Sequence, residues 1–345
     1  MLLKIVSTHK GHFPLCFFNG ALYSRCGTNI YKWNNLEASP QLDDSLNLPI
    51  LHRVVSSIRP LERLLRLGLS HLVFSTSGTN LAILNKRVFW KPSEEQVWKE
   101  IGSLTHVSRP LRFGVCSLDN GQFLIGEYFS NPHRKEVSLW KVLVNGSMEV
   151  VYKFPNHTIQ HIHAVQEDPF TKQIWVTTGD YDSECKVLTS ADGCITFSFI
   201  GQGDQSWRTT CMLFSEDAVI WGMDSPGEPS FIIRWDRLSK EREFVTELPG
   251  PIWHGTSNAD GWYTFSTAVE PSDYLKEPQA YLWTSPNGFD FYKVAAYDKD
   301  FWPWTFFQFG LIYFPIGIAP ANYLVFSGNA LKQFENTMVI ARLVP

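Results

Sequence analysis

The sequence lacks the features that mark most membrane, nucleic-acid-binding and secreted proteins. Its most apolar stretch, residues 306–321, is interrupted by two glycines and two prolines, so we predict no membrane span. The formal net charge is only -4 and no basic run occurs, which argues against nucleic acid or an anionic membrane as the main partner. The N-terminus has too short an apolar run for a signal peptide, so the sequence is compatible with a cytoplasmic location and does not specify one.

Cysteine pairs and long helical patterns are also missing. The six cysteines show no Cys-x-x-Cys spacing, so we expect reduced thiols rather than a disulfide framework or a zinc-thiolate site. What the chain does contain is a series of short apolar or alternating runs separated by Gly, Asn, Asp and Pro, with 14% aromatic residues. Aromatic and β-branched residues favour strands, so the pattern predicts an all-β protein.

The strand pattern repeats about every 40 to 50 residues, which is the spacing of propeller blades. We interpret Leu61 to Leu69 as a strand rather than a helical turn, because it falls on this period. The chain length accommodates a single β-propeller domain, residues 1–345, with seven four-stranded blades. We expect Leu2–Val6 to close it by pairing with Met338–Leu343. The predicted inner strands start near Phe13, Leu61, Leu111, Gln160, Trp207, Pro251 and Phe301.

Charged residues concentrate at one kind of strand end. His161 and His163 open one predicted strand, and Asp180 follows the next, while the turn between the two strands carries ordinary turn residues. In an antiparallel pair the start of one strand lies beside the end of the next. We therefore expect the histidines and the acidic residues 180–184 to share one edge of a small sheet.

The same argument, applied to all blades, collects one set of polar and aromatic residues at a common face. In a closed ring of blades, a face where such residues converge is the first place to expect an active or binding site. From it we predict catalytic residues Glu127, Tyr128, His161, His163, Asp180 and Arg208. The predicted substrate-binding residues are Arg112, Asp182, Glu184, Trp207, Trp221, Asp224, His254 and Glu270, and Arg25 would join the same face.

Several of these residues have a structural alternative. Asp182 and Asp224 could simply cap turns, and the two tryptophans could pack between blades instead of stacking on sugars. The histidine pair has three possible roles: metal ligands with Glu127, Asp180 or Glu184, a general acid or base, or donors to backbone carbonyls. No cofactor is required by the pattern, although a divalent metal on His161 and His163 is compatible with it.

Two segments resemble degenerate Asp-boxes, Ser-x-Asp-x-Gly-x-Thr-Trp. They are Ser190 to Phe197 and Ser285 to Phe291, in which an Asp or Asn would cap the turn and a Gly would take positive φ. Together with residues 126–132 and 161–224, they make the chain similar to sialidase-like (BNR) β-propellers associated with bacterial polysaccharide metabolism. This resemblance implies a carbohydrate-related role on acidic or complex glycans. The sialidase Arg-Ile-Pro motif is absent.

We therefore expect a propeller that cleaves a polysaccharide or oligosaccharide at an axial pocket. A glycoside hydrolase, slightly favoured because carboxylates are abundant, would use two of them as acid and base or nucleophile. In a polysaccharide lyase, Arg208, alone or with Arg112, would neutralise a uronate. His161 or His163 would remove a proton, and Tyr128 or the same histidine would protonate the leaving oxygen. We predict that Glu127→Gln abolishes turnover and leaves the fold intact. The alternative is a non-catalytic glycan- or protein-binding propeller.

Overall fold

The protein is a seven-bladed β-propeller in which each blade is a four-stranded antiparallel sheet. The computed structural model describes residues 1–95, 97–105, 109–275 and 277–344. The strands are β1 (Leu2–Lys10), β2 (His12–Phe18), β3 (Ala21–Cys26), β4 (Asn29–Trp33), β5 (Gln41–Ser45), β6 (Leu69–Phe74), β7 (Asn80–Leu84), β8 (Arg87–Lys91), β9 (Lys99–Ser103), β10 (Val115–Ser117), β11 (Phe123–Gly126), β12 (Val137–Val142), β13 (Met148–Phe154), β14 (His161–Glu167), β15 (Ile174–Gly179), β16 (Lys186–Ser190), β17 (Ser198–Gln202), β18 (Met212–Phe214), β19 (Ala218–Gly222), β20 (Ser230–Asp236), β21 (Arg242–Leu248), β22 (Ile252–Ser257), β23 (Tyr263–Thr267), β24 (Gln279–Ser285), β25 (Tyr292–Asp298), β26 (Leu311–Tyr313), β27 (Tyr323–Asn329) and β28 (Thr337–Val344).

Six blades use four consecutive strands, beginning with β2–β5 and ending with β22–β25. The seventh blade combines β26, β27 and β28 from the end of the chain with β1 from its beginning. β1 pairs with β28 through partners such as Leu3 with Leu343 and Thr8 with Val339. The predicted all-β class, the blade number and the closing strand pair are thus confirmed.

Helices occupy two positions where the sequence pattern predicted inner strands. Residues Ile50–Ser57 form α1 and Arg59–Leu65 form α2, so the interpretation of Leu61 to Leu69 as a strand is wrong. Pro60 lies in the first turn of α2, where its fixed φ suits a helix and its missing N–H costs nothing. The inner strand of that blade, β6, starts only at Leu69.

The seventh blade is displaced from the prediction for the same reason. A short helix, α3 (Trp304–Phe307), follows Pro303, and the inner strand β26 starts at Leu311 instead of near Phe301. Insertions between blades do not change the sheet itself, but they move the start of the next strand along the sequence. No helix in the described ranges is long and apolar enough to cross a membrane.

The chain divides into two compact units, which are described separately. The first unit contains Met1–Gly68, Ile220–Gly222 and Pro226–Pro345, and the second contains Leu69–Val219 and Met223–Ser225. The prediction of a single domain for residues 1–345 stays a prediction. Each unit has its own apolar clusters, built from the faces of neighbouring sheets.

In the second unit, one cluster packs the blade of β10–β13 against the blade of β14–β17. Leu124 and Leu139 from the former meet Val165 and Val176 from the latter. Gly126 allows this close approach, because a Cβ there would lie 2.6 Å from Ile162 Cγ2. The tight packing fixes the start of β14, where the histidine pair is located.

The two hairpins that resemble Asp-boxes have the expected local geometry. Asp192 accepts hydrogen bonds from the backbone N–H groups of Ile195 and Thr196, and Gly193 has a φ of 74°. Asn287 accepts from Phe289 and Asp290 in the equivalent turn. Both turns lie between the two outer strands of their blades and carry no group that takes part in the site described below.

Candidate functional site

The histidine pair lies at the start of β14, where the strand is irregular. His161 pairs with Gly179 and Ile162 with Thr178, but Ala164 pairs with Thr177, so His163 is the additional residue of a β-bulge. Bulges redirect a side chain and often occur beside functional sites. Here the two imidazoles face each other, with their Nε2 atoms 3.1 Å apart.

Asp180 places its carboxylate between the two rings. Its Oδ2 lies 3.2 Å from His161 Nε2, and its Oδ1 lies 3.3 Å from His163 Nε2. The backbone φ of Asp180 is 116°, a conformation that non-glycine residues adopt only under strain. The preceding residue must be small, because a Cβ on Gly179 would lie 2.9 Å from His163 Cε1. The strained residue is therefore held in place by its surroundings.

Arg208 provides much of that restraint. Its Nη1 donates to the backbone oxygen of Asp180 at 3.1 Å, and its Nη2 lies 3.0 Å from Asp180 Oδ1. Its Nε lies 3.3 Å from Asp224 Oδ2. Gln205 Nε2 also donates to the Asp180 backbone oxygen, at 3.3 Å. We call His161, His163, Asp180 and Arg208 the His–Asp cluster.

The electrostatics of the cluster keep its acid charged and one base neutral. Burial lowers the pKa of His163 to about 4, although the hydrogen bond with Asp180 opposes this shift. Burial alone would raise the pKa of Asp180, but hydrogen bonds with His161 and His163 hold it well below its usual range. At neutral pH the cluster therefore contains a carboxylate and a neutral His163 imidazole.

The hydrogen bonds also indicate where the His161 proton lies. His161 Nδ1 is 3.2 Å from the carbonyl oxygen of Phe129, so Nδ1 carries the proton and donates it. His161 Nε2 faces His163 Nε2 and the Asp180 carboxylate. Orienting a histidine through its second nitrogen in this way is typical of metal ligands. His163 Nδ1 is buried and has no hydrogen-bond partner within the described part of the chain.

Two imidazoles and a carboxylate therefore face one another across short gaps. Their ligand atoms all lie within 4.8 Å of one another. Atoms that share a small divalent cation are separated by roughly 3 Å, because each lies about 2 Å from the ion. The observed separations of 3.1, 3.2 and 3.3 Å match that spacing. The residues fit a divalent cation, and ions such as manganese, iron and zinc accept this ligand set.

Tyr128 adds an ionisable aromatic side chain to the cluster. Its ring centroid lies 4.0 Å from that of His161 and 6.1 Å from that of His163. The side chain is half-buried, whereas both histidines are almost completely buried. Five of the six predicted catalytic residues, together with Asp224, thus lie in contact with one another.

Glu127 is the exception, and its structure argues against the catalytic prediction. It is completely buried, and its carboxylate accepts hydrogen bonds from Ser138 N at 2.8 Å and Trp140 Nε1 at 2.9 Å. Thr105 donates to the same carboxylate through its backbone N–H and its hydroxyl. The carboxylate therefore links β12 of its own blade to the segment that follows β9.

The predicted substrate-binding residues of the second unit have mainly structural contacts. Glu184 pairs with Arg134 at 2.7 Å, and the exposed Asp182 accepts from Gln205 at 2.8 Å. Trp207 is buried against β17, where a Cβ on Gly201 would collide with its ring. Arg112 is also buried, and its Nη1 donates to the Ser70 carbonyl oxygen at 3.0 Å.

The other predicted residues belong to the first unit. Trp221 is fully buried. His254 Nδ1 lies 2.8 Å from the Ile312 carbonyl oxygen, and Glu270 is half-buried after β23. Arg25 forms a 2.7 Å ion pair with Glu62. Their predicted participation in a common face stays a prediction.

Sequence reasoning missed two residues that support the second-unit site. Gln205 restrains Asp180, and Arg134 neutralises Glu184 while lying over the ring of Tyr181. Both are in connections between strands, where no periodic pattern identifies the direction of a side chain. The Gly179-Asp180 pair was the available signal, since a glycine before an acidic residue at a strand end indicates close approach.

Comparison with known proteins supports the fold and leaves the family open. No protein-family model and no curated protein matches the chain. An oligogalacturonate lyase in complex with manganese is similar in structure, with a TM-score of 0.60, 12% identity, and coverage of 98% of this chain and 90% of that one. An oligogalacturonate lyase from Vibrio parahaemolyticus gives a TM-score of 0.61 and 12% identity, with 99% and 91% coverage. A chain of the mitotic checkpoint complex gives 0.59 and 9%, with 99% and 96% coverage. These similarities support the propeller fold and give no evidence for the resemblance to sialidase-like propellers in particular.

Proposed function

We propose that this protein is a cation-assisted lyase acting on an oligosaccharide that contains a uronate. One observation carries the proposal: His161 Nε2, His163 Nε2 and the Asp180 carboxylate converge at cation-ligand distances, beside the Arg208 guanidinium. Uronate lyases need positive charge to stabilise the enolate that forms when the proton next to the carboxylate leaves. The similarity in fold to oligogalacturonate lyases, one of which was crystallised with manganese, supports the same assignment.

His161, His163 and Asp180 would hold the divalent cation. When bound, the cation acts as a Lewis acid that withdraws charge from the uronate carboxylate. The protonation states of two of these residues suit cation binding. Burial lowers the pKa of His163 and keeps its imidazole neutral, and Asp180 stays ionised. His161 is oriented by its hydrogen bond to the Phe129 carbonyl.

Arg208 and Tyr128 supply the remaining functions. Arg208 is fixed by Asp224 and by the backbone of Asp180, so its positive charge is available without reorganisation. Tyr128 contacts His161 and is a half-buried ionisable side chain beside the His–Asp cluster. With both imidazoles occupied as ligands, we assign proton transfer to Tyr128, whose phenolate a nearby cation would favour.

The carboxylates give little support to the hydrolase that the sequence slightly favoured. A glycosidase needs two carboxyl groups on either side of the scissile bond. Three of the candidate carboxylates are already bound to other groups of the protein. Glu127 accepts hydrogen bonds in the interior, Glu184 is paired with Arg134, and Asp224 is paired with Arg208. A lyase uses this arrangement more directly, because it needs a cation and a proton-transfer group.

The test is an assay of the purified chain, stripped of metal and then supplied with manganese. Oligogalacturonides and other uronate-containing oligosaccharides serve as substrates, and both reducing ends and the ultraviolet absorbance of the unsaturated product are recorded. A lyase raises both signals, and a hydrolase raises reducing ends alone. His163→Ala should abolish the signal, whereas His157→Asn, which changes an exposed histidine outside the cluster, should leave it intact.

A non-catalytic glycan-binding propeller is the second candidate. It is favoured by the burial of the histidines, which are only 3% and 1% exposed, as in a structural network. Propellers also occur in assemblies unrelated to sugar cleavage, such as the mitotic checkpoint complex. Binding of oligosaccharide with neither product signal would support this candidate and overturn the lyase.

A further inference from the structure

The first unit exposes a concentration of apolar side chains on two short segments. Ten large hydrophobic residues that are at least one-third exposed lie within residues 50–65 and 301–306. Leu51 is 75% exposed and Phe301 is 83% exposed. An exposed apolar patch usually marks a binding surface. We call this set the helical patch: Ile50, Leu51, Val54, Ile58, Leu64, Leu65, Phe301, Trp302, Trp304 and Phe306.

The helices of the patch are oriented opposite to ordinary surface helices. A surface helix normally buries its apolar stripe and exposes its polar residues. In α1 the buried residue is Ser56, and in α2 the buried residues are Glu62 and Arg63. The polar side therefore packs on the protein, and the apolar side faces outwards.

Buried ion pairs hold the helices in this orientation. Glu62 binds Arg25 at 2.7 Å and Arg59 at 2.8 Å, and Arg59 also binds Glu335 at 2.7 Å. Arg63 pairs with Asp300 at 2.7 Å. These ion pairs involve only the polar side of α2, so the apolar side chains remain exposed.

The second segment is attached to the first by the same arginine. Arg63 Nη2 donates to the carbonyl oxygen of Phe307, the last residue of α3, at 2.5 Å. Within the segment Phe301 stacks on Trp302, and Trp304 stacks on Phe309. Trp302, Trp304 and Phe306 nevertheless remain 38%, 49% and 62% exposed. Tryptophan and phenylalanine next to basic residues are typical of surfaces that enter a membrane interface.

The exposed charged side chains of the two segments are all positive. Residues 50–67 and 299–309 contain five basic residues and two acidic ones, Glu62 and Asp300. Both acids are buried in ion pairs, with side chains 8% and 9% exposed. Arg53 and Arg66 are exposed. The outer surface of the patch is thus apolar, aromatic and positive.

We propose that the helical patch docks the protein peripherally on an anionic lipid surface. The arginines complement anionic headgroups, and the leucine, isoleucine and tryptophan side chains enter the boundary below them. A second copy of the chain fits less well, because a two-fold contact would bring arginines together without exposed acids on the patch to pair with them. The net charge of -4 is a sum over the whole chain, so it does not reveal this local positive surface.

The experiment is co-sedimentation of the full chain with vesicles. Phosphatidylcholine vesicles containing about 30% phosphatidylglycerol should bind the protein, and pure phosphatidylcholine should bind it much less. Binding should weaken as salt rises. Arg53→Glu with Arg66→Glu should reduce affinity by about 20-fold or more, because each charge near the surface contributes separately. Leu51→Ser with Trp304→Ser should reduce it by about 10-fold or more.

Matched variants separate the patch from general effects. Lys4→Glu with Lys10→Glu makes the same charge change at exposed positions on β1, and Leu238→Ser removes an apolar side chain that is 93% exposed elsewhere. These should bind as the unchanged chain does. Failure of the unchanged protein to bind anionic vesicles, or equal binding by the patch variants, would overturn the proposal. A dimer that Leu51→Ser dissociates would assign the patch to a second copy instead.

Discussion

The two units each bury a group of ionisable side chains, and the two groups differ in how their charges are matched. The group in the first unit consists of ion pairs between three arginines and three carboxylates, and we call it the arginine network. Its members are Arg25, Arg59, Arg63, Glu62, Glu335 and Asp300. In the His–Asp cluster of the second unit, two imidazole nitrogens and a carboxylate face one another instead.

This difference separates a structural role from a functional one. Matched ion pairs stabilise a particular arrangement, because each carboxylate is held against its arginines. The His–Asp cluster combines a strongly shifted pKa, a strained backbone at Asp180 and a buried His163 Nδ1. Perturbed groups of this kind concentrate at functional sites. We therefore expect substitutions in the arginine network to change stability, and substitutions in the cluster to change binding.

The largest effect is expected for Glu62→Gln in the arginine network. It leaves Arg25 and Arg59 without their shared carboxylate, and breaking a buried ion pair costs about 3 to 5 kcal/mol. The free energy of unfolding, measured with urea, checks this value. Cation affinity of the second unit should not change, and a loss of affinity without loss of stability would contradict the distinction between the two groups.

The next effect concerns His71, a buried histidine outside both groups. Burial, followed by the charge of Arg112, lowers the pKa of His71 to about 4 from 6.5. The unfolded chain then binds the proton first, so stability is lost as the pH falls from about 6.5 to about 4. His71→Gln should remove about 3 kcal/mol of that loss.

Urea unfolding across this pH window measures the effect. His157→Asn, at an exposed position, is the control and should retain the pH dependence of the unchanged chain. If His71→Gln left the slope between pH 6.5 and 4 unaltered, the shifted titration would have to be assigned to another group.

A smaller change in free energy is expected for Asp180→Asn. This substitution should change the free energy of cation binding. Removing the anionic ligand should weaken manganese binding by about 100-fold, or about 2.7 kcal/mol. Isothermal titration calorimetry on the metal-stripped chain measures this. Asp182→Asn, an exposed carboxylate two residues away, is the matched control. Equal affinity in the two variants would remove Asp180 from the cation site.

The smallest effect is expected for Glu127→Gln. The two N–H groups donate to different oxygens of Glu127, so the amide NH2 of glutamine opposes one of them, that of Ser138 or that of Trp140, and we expect a loss of about 1 to 3 kcal/mol of stability. Turnover per folded molecule should remain, in contrast to the abolition expected if Glu127 were catalytic. A variant that is fully folded and inactive would restore the catalytic assignment.

Much of the fold was predictable because a blade is a local, repeated unit. Hairpins and alternating strands leave a pattern in nearby residues, and the pairing of Leu2–Val6 with Met338–Leu343 followed from the need to complete the last blade. The prediction failed at Leu61 and Phe301, where insertions fold as α2 and α3. A fixed period cannot detect an insertion that leaves the sheets unchanged.

The sequence by itself determined which residue types end the strands, and hence that His161, His163, Asp180 and Arg208 were candidates. Only the tertiary structure decided which side chains converge. The bulge at His163, the positive φ of Asp180 and the inward direction of Glu127 depend on packing between strands and blades. The physical reason is that strand order follows from local hydrogen-bonding patterns, whereas a side chain's direction depends on irregularities that distant contacts stabilise.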